Sequence, residues 1–170
     1  MTINHPDRER LDLVAALQKQ RRFLVQTVAG LGDDDARRRT TVSTLCLGGL
    51  IKHVAWAERA WQAFMTDGSA AFDQLFGGPA TYEDGFWMLE GETLSGLLAG
   101  YERVASETDR IIGSMPSLDS DHALPDAPWF EAGARWSARR VVAHILAETA
   151  QHAGHADIIR ESLDGAKTMG

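Results

Sequence analysis

The chain has 170 residues, 44% of them apolar and 24% charged, which fits one folded domain and excludes a disordered or fibrous protein. A net charge of −7 opposes non-specific binding to nucleic acid or other polyanions. No apolar run reaches the roughly 18–20 residues of a membrane span, the first residues lack a signal-peptide core, and one cysteine, Cys46, allows no internal disulfide, so the expectation is a cytoplasmic protein without membrane segments.

Four segments carry a helical period. The first covers about 6–31, aligns Leu11, Val14, Gln18, Leu24, Val28 and Leu31, and closes at Gly32 and the run Asp33, Asp34, Asp35. The second begins near Ser43, a residue type suited to capping a helix start, and continues to about 66, ahead of Asp67 and Gly68. The third follows "EGETLSG" and keeps Leu94, Leu97, Leu98, Tyr101, Val104, Thr108 and Ile111 aligned as far as Pro116. The fourth starts at Ser137 and reaches Leu163, where "DG" ends it. No segment alternates as a strand of an extended sheet would. Four helices of roughly 20–27 residues predict an all-α four-helix bundle, a single domain over 1–170. Two connecting loops are long, 67–91 and 115–136. Their aromatic residues Phe86, Trp87, Trp129 and Phe130 predict a lid or pocket wall rather than an idle linker.

The stretch "HILAETAQHAGHAD" places three histidines and a glutamate in the fourth helix. At about 100° per residue, Glu148 lies within about 20° of Val141 and Ile159 and within about 40° of His152, so both polar residues sit in the apolar stripe. His144 and His155 fall at its edge. Glu148 and His152 are one turn apart and can reach a common point. A buried His–Glu hydrogen bond would satisfy the pair as well as a metal ion would. The second helix supplies an independent donor: Cys46, Leu50, His53, Ala57 and Phe64 share one side of it, while Lys52, Arg59 and Gln62 share the other. An inward His53 at mid-helix can meet the inward Glu148 and His152.

Two imidazoles and a carboxylate suit Zn, Ni, Fe or Mn, and three protein ligands leave positions open for water or substrate. No HExxH occurs, which weighs against a zincin-type metalloprotease. His155, one turn beyond His152, reads as a catalytic proton carrier at the rim of the trio ahead of a fourth ligand, with an edge histidine bonded to a neighbouring helix as the remaining alternative. His144 reads as a packing or hydrogen-bonding residue, and His5 and His122 as solvent-facing. Cys46 reads as a buried apolar side chain ahead of a soft ligand, Trp56 and Trp61 as core ahead of cofactor-stacking groups, and Arg139 and Arg140 as a solvated helix start ahead of a receiver for an acidic substrate.

The segments "VSTLCLGGLIKHVAWAERAW" and "RWSARRVVAHILAETAQHAGHADIIRESLDG" resemble the DinB-like superfamily of small metal-binding four-helix bundles. The resemblance is strong over the second and fourth helices and extends to the first and third in pattern only. Many of its members draw one histidine from the second helix and an HxxxH pair from the fourth. Here Glu148 stands at the first position of that pair and His152 at the second. A His–Glu–His set resembles that of the mycothiol-dependent maleylpyruvate isomerase family. The resemblance implies a divalent metal on His53, Glu148 and His152, a homodimer, and a low-molecular-weight thiol such as mycothiol transferred to an electrophilic small-molecule substrate. Metal-dependent hydrolysis and a non-catalytic, stress-related metal-binding bundle remain as alternatives.

Overall fold

A computed structural model describes residues 5–76 and 83–168, with side chains described from residue 8 onward and that of Glu83 excepted. In chain order the elements are α1 (His5–Gln26), α2 (Asp33–Arg37), α3 (Leu47–Asp67), α4 (Ser69–Phe76), a 3-10 turn (Glu83–Phe86), α5 (Leu94–Ser114), β1 (Asp121–Ala123), β2 (Arg135–Ser137) and α6 (Ala138–Asp164). The long helices α1, α3, α5 and α6 form the predicted all-α bundle. In it α1 packs on α6, and α3 packs on both α5 and α6.

The helix ends follow local chemistry. The chain leaves α1 at Gln26, short of the expected 31, because the backbone tightens into i→i+3 bonds from Thr27 to Leu24 and from Val28 to Val25, each 3.2 Å. Arg160 on α6 donates to the helix-end carbonyls of Thr27 (2.8 Å) and Ala29 (3.0 Å), and Gly30, at φ 75°, turns the chain. The acidic run that was expected only to stop the helix starts α2, where Asp33, Asp34 and Asp35 meet the positive end of its dipole. Ser43 is not the cap of α3. Its hydroxyl accepts from the Leu45 N–H at 3.2 Å in a local turn, and the helix starts after Cys46. Thr93 caps α5 and Ser137 caps α6 by accepting from the Gly96 and Arg140 N–H groups, and Gly165 closes α6 in the left-handed region at φ 80°.

Both long connections hold structure that the periodicity missed. The first contains α4 and the 3-10 turn, and its residues 77–82 lie outside the described ones. In the second, β1 and β2 pair antiparallel with His122 opposite Trp136. Strands of three residues are too short to show an alternating pattern.

The interior divides at mid-height. One apolar cluster gathers Leu17, Trp61, Phe64, Ile111, Val141 and Ile145, and the other Leu24, Leu50, Val54, Tyr101, Ala153 and Ile159. Between them lie buried Arg21, Glu58, Gln62, Thr108 and Thr149. Gln62 was expected on the outer side of its helix but is covered by α5, donating to the Val104 carbonyl (2.7 Å) and the Thr108 hydroxyl (2.6 Å). A helix packed on two neighbours has no fully solvated face.

Candidate metal centre

His53 enters the interior at the middle of α3, and the local sequence explains how its ring is held. One turn earlier, a Cβ on Gly49 would lie 1.8 Å from the Phe86 carbonyl oxygen. Glycine there lets the 3-10 turn lie directly on α3. Phe86 then stacks on the His53 imidazole, with ring centres 3.9 Å apart and planes 20° apart.

Opposite, α6 presents Glu148 and His152 a turn apart. His152 Nε2 lies 3.5 Å from Glu148 Oε2, and the His53 and His152 rings meet edge-on at 4.9 Å and 74°. One ligand-type atom from each of His53, Glu148 and His152 falls within 4.8 Å of the others. Bonds of about 2.1 Å to a tetrahedral ion put donors about 3.4 Å apart, so a small closing of the side chains suffices. The donor chemistry fits as well. Burial, reinforced by nearby His152, holds the His53 pKa down to about 4, despite the opposing pull of Glu148. The hydrogen bond with His152 lowers the Glu148 carboxyl against the cost of its burial. Both residues therefore stand at neutral pH in the protonation states that metal binding needs.

A cavity of about 670 Å³ opens on His53 and Glu148, walled by Ala57, Trp61, Phe72, Phe76, Trp129 and Phe130, with His144 among them. The family model Mycothiol-S-transferase matches residues 12–165. The chain belongs to the mycothiol-S-transferase family. This is a DinB-like family, in keeping with the resemblance seen in helices α3 and α6. No curated protein matches the chain. Among the described residues, no helix is long and apolar enough to cross a membrane.

In this mycothiol-S-transferase family member the other candidate residues take distinct places. His155 does not join the trio. Its Nδ1 lies 3.4 Å from Nδ1 of His152, which directs the Nε2 of His152 toward Glu148. His144 packs edge-on to Trp61 (4.9 Å) and Trp136 (5.1 Å), and burial lowers its pKa. His122, expected in solvent, is half-buried over Phe64 at 5.7 Å because β1 lies on the end of α3. The side chain of His5 lies outside the described ones. Cys46 is buried, its Sγ 3.9 Å from the Phe86 carbonyl, and it stands outside the trio. Trp56 donates to the Leu75 carbonyl at 3.0 Å, whereas Trp61 is both core and cavity wall. Arg139 is not a free helix start, since it pairs with Glu9 and Asp119, and Arg140 lies over the Trp136 ring at 4.6 Å.

Sequence reasoning missed Phe72 and Phe76, which α4 delivers to the cavity. Their i, i+4 spacing in "SAAFDQLF" was the available signal. It also missed the buried Arg21–Glu58 pair, for which a single sequence carries no signal.

Proposed function

We propose that the chain is a divalent-metal-dependent enzyme that activates a low-molecular-weight thiol, mycothiol by its family, for transfer to an electrophilic small molecule. The observation supporting this reading is the convergence of His53, Glu148 and His152 at the inner end of a cavity large enough for a small organic substrate. Those three residues would hold the ion, and zinc, nickel, iron or manganese would accept the set. A bound divalent ion supplies a Lewis acid that lowers the pKa of a thiol, making its sulfur nucleophilic near neutral pH.

The chain's own residues do the rest. Burial keeps His53 neutral, and Phe86 holds its ring plane by stacking. The carboxylate of Glu148 offsets one positive charge. His155, seated on His152 Nδ1, orients that ring and carries protons between the site's edge and solvent. The aromatic walls exclude water, so that the thiol rather than hydroxide attacks. The new S–C bond uses the electron pair left when the thiol loses its proton. The pair displaced from the electrophile departs with a leaving group or takes up a proton. The same reading has the protein in the cytoplasm, where thiols stay reduced, as a homodimer, for which the groove between α1 and α5 offers Val25, Leu98 and Ala105.

The test is calorimetric titration of mycothiol into tag-free protein, zinc-loaded and chelator-treated. Binding confined to the loaded form is expected. Equal binding to both forms, or a content far below one ion per chain after loading with zinc, nickel, iron or manganese in turn, would overturn the reading.

A further inference from the structure

The wall of the cavity beside the trio is aromatic from several directions at once. Trp61 comes from α3, Phe72 and Phe76 from α4, and Trp129 and Phe130 from the loop between β1 and β2. The rings make a graded surface: Phe72 and Phe76 stack at 4.8 Å and 13°, Trp61 tilts toward Phe72 at 4.7 Å, and Phe130 meets Trp61 edge-on at 6.3 Å. At the mouth Trp129 is 72% exposed, a large apolar ring left in water where a bound molecule would cover it.

The charges are as informative as the rings. Among the described residues, the titratable groups of the lining are His53, Glu148 and His144, joined by the indole N–H groups of Trp61 and Trp129, and none of the lining residues is a lysine or arginine. Residues 77–82, Gly-Gly-Pro-Ala-Thr-Tyr, carry no cationic side chain either. Of the nearby guanidinium groups, Arg139 pairs with Glu9 and Asp119, and Arg140 lies flat over the Trp136 face outside the lining, where its charge is felt by His144. Recognition of a carboxylate or phosphate calls for a positioned arginine or lysine, and a buried anion without one is costly. His144, edge-on to Trp61 and one turn from Glu148, is a neutral-capable hydrogen-bonding group set into the aromatic wall.

We propose that this cavity is the electrophile subsite and that it selects neutral molecules with a planar aromatic or conjugated ring, rejecting carboxylated and phosphorylated ones. The inference rests on the reading of the trio as the reaction centre, but ring binding can be measured without the reaction. Ligand-observed NMR with 2-methoxynaphthalene and 2-naphthoate, on zinc-loaded and on chelator-treated protein, compares rings of one shape and different charge. The neutral ring is expected to bind at least tenfold more tightly in the chelated protein, where no ion can attract the carboxylate, and still measurably in the loaded one. Phe130→Arg should weaken 2-methoxynaphthalene at least tenfold and bring 2-naphthoate level or ahead. Trp129→Ala, at an exposed position that leaves helicity unchanged, should weaken the neutral ring several-fold and decides the matter should Phe130→Arg fail to fold. Equal or tighter binding of 2-naphthoate to the chelated wild type, no detectable binding of the neutral ring, or undiminished binding in Trp129→Ala overturns the subsite. A protein that binds the neutral ring but no thiol fails the thiol-transfer reading alone, and one that binds thiol but not the ring fails the subsite alone.

Discussion

Two polar clusters share the mid-height layer of the bundle, and they are built in opposite ways. In one, buried Glu58 accepts from Arg21 and Thr108, Gln62 donates to Thr108 at 2.6 Å, and Arg21 reaches Asp109 at 2.8 Å. Arg21, Glu58, Gln62 and Thr108 pair with one another there, tying α1, α3 and α5 together. In the other, His53, Glu148 and His152 turn ligand-type atoms toward a shared point, and two of the three border a cavity. Burial of polar groups alone does not mark a functional site. Convergence of ligand-type atoms beside open space is the feature that supports the reading of a site, because a ligand can reach them there.

The largest expected effect breaks the closed cluster. Glu58→Ala strands Arg21 in the core and should cost about 3–5 kcal/mol in denaturant unfolding, while the folded protein keeps its zinc affinity. The double change Arg21→Met with Glu58→Leu should recover most of that loss, because an apolar pair of similar volume needs no partners. A zinc affinity that falls in parallel with stability would show that the two clusters act as one.

Next in size is an acid effect confined to the open cluster. The pKa of His53 is lowered from 6.5 to about 4 in the folded chain, with His152 and Glu148 facing it. Between those two values the unfolded chain takes up a proton that the folded one refuses. Stability of the chelator-treated protein should therefore fall as pH drops from about 6.5 to 4, by at most about 3 kcal/mol. Glu148, whose carboxyl is lowered in the fold, loses its contribution in the same direction, but below its ordinary value of 4.5. Thermal melts of His53→Phe should lose most of the part above pH 4.5, and an unchanged slope would place the titrating group elsewhere.

Glu148→Gln sharpens the comparison further. It keeps shape and helicity but should lower metal occupancy by about 10–100-fold, and Glu148→His should restore it by recreating a three-histidine set. Equal occupancy in wild type and Glu148→Gln, measured on tag-free protein, would demote the carboxylate to a hydrogen-bond partner of His152. The smallest effect belongs to Cys46→Ala, expected to cost about 1 kcal/mol of packing and no metal binding.

The bundle and the trio were both legible in the chain, and for one reason. The apolar stripe of a long helix sets which side faces inward, so a His or Glu within that stripe is an inward residue before any partner is known. His53, Glu148 and His152 stand on helices long enough for that logic. The same logic failed for Gln62, because a wheel assumes one buried face and α3 has two.

What the sequence by itself determined is therefore the set of helices, their inner faces and the donors on them, all local consequences of a 3.6-residue period. Only the tertiary structure decided which inner faces meet, because that depends on contacts between residues far apart in the chain. It seated Phe86 on His53 through the gap left by Gly49, and it brought α4 and the β1–β2 loop together over the trio as one aromatic wall. It also matched Arg21 with Glu58 across 37 positions, a pairing for which neither residue's neighbours in sequence hold any record.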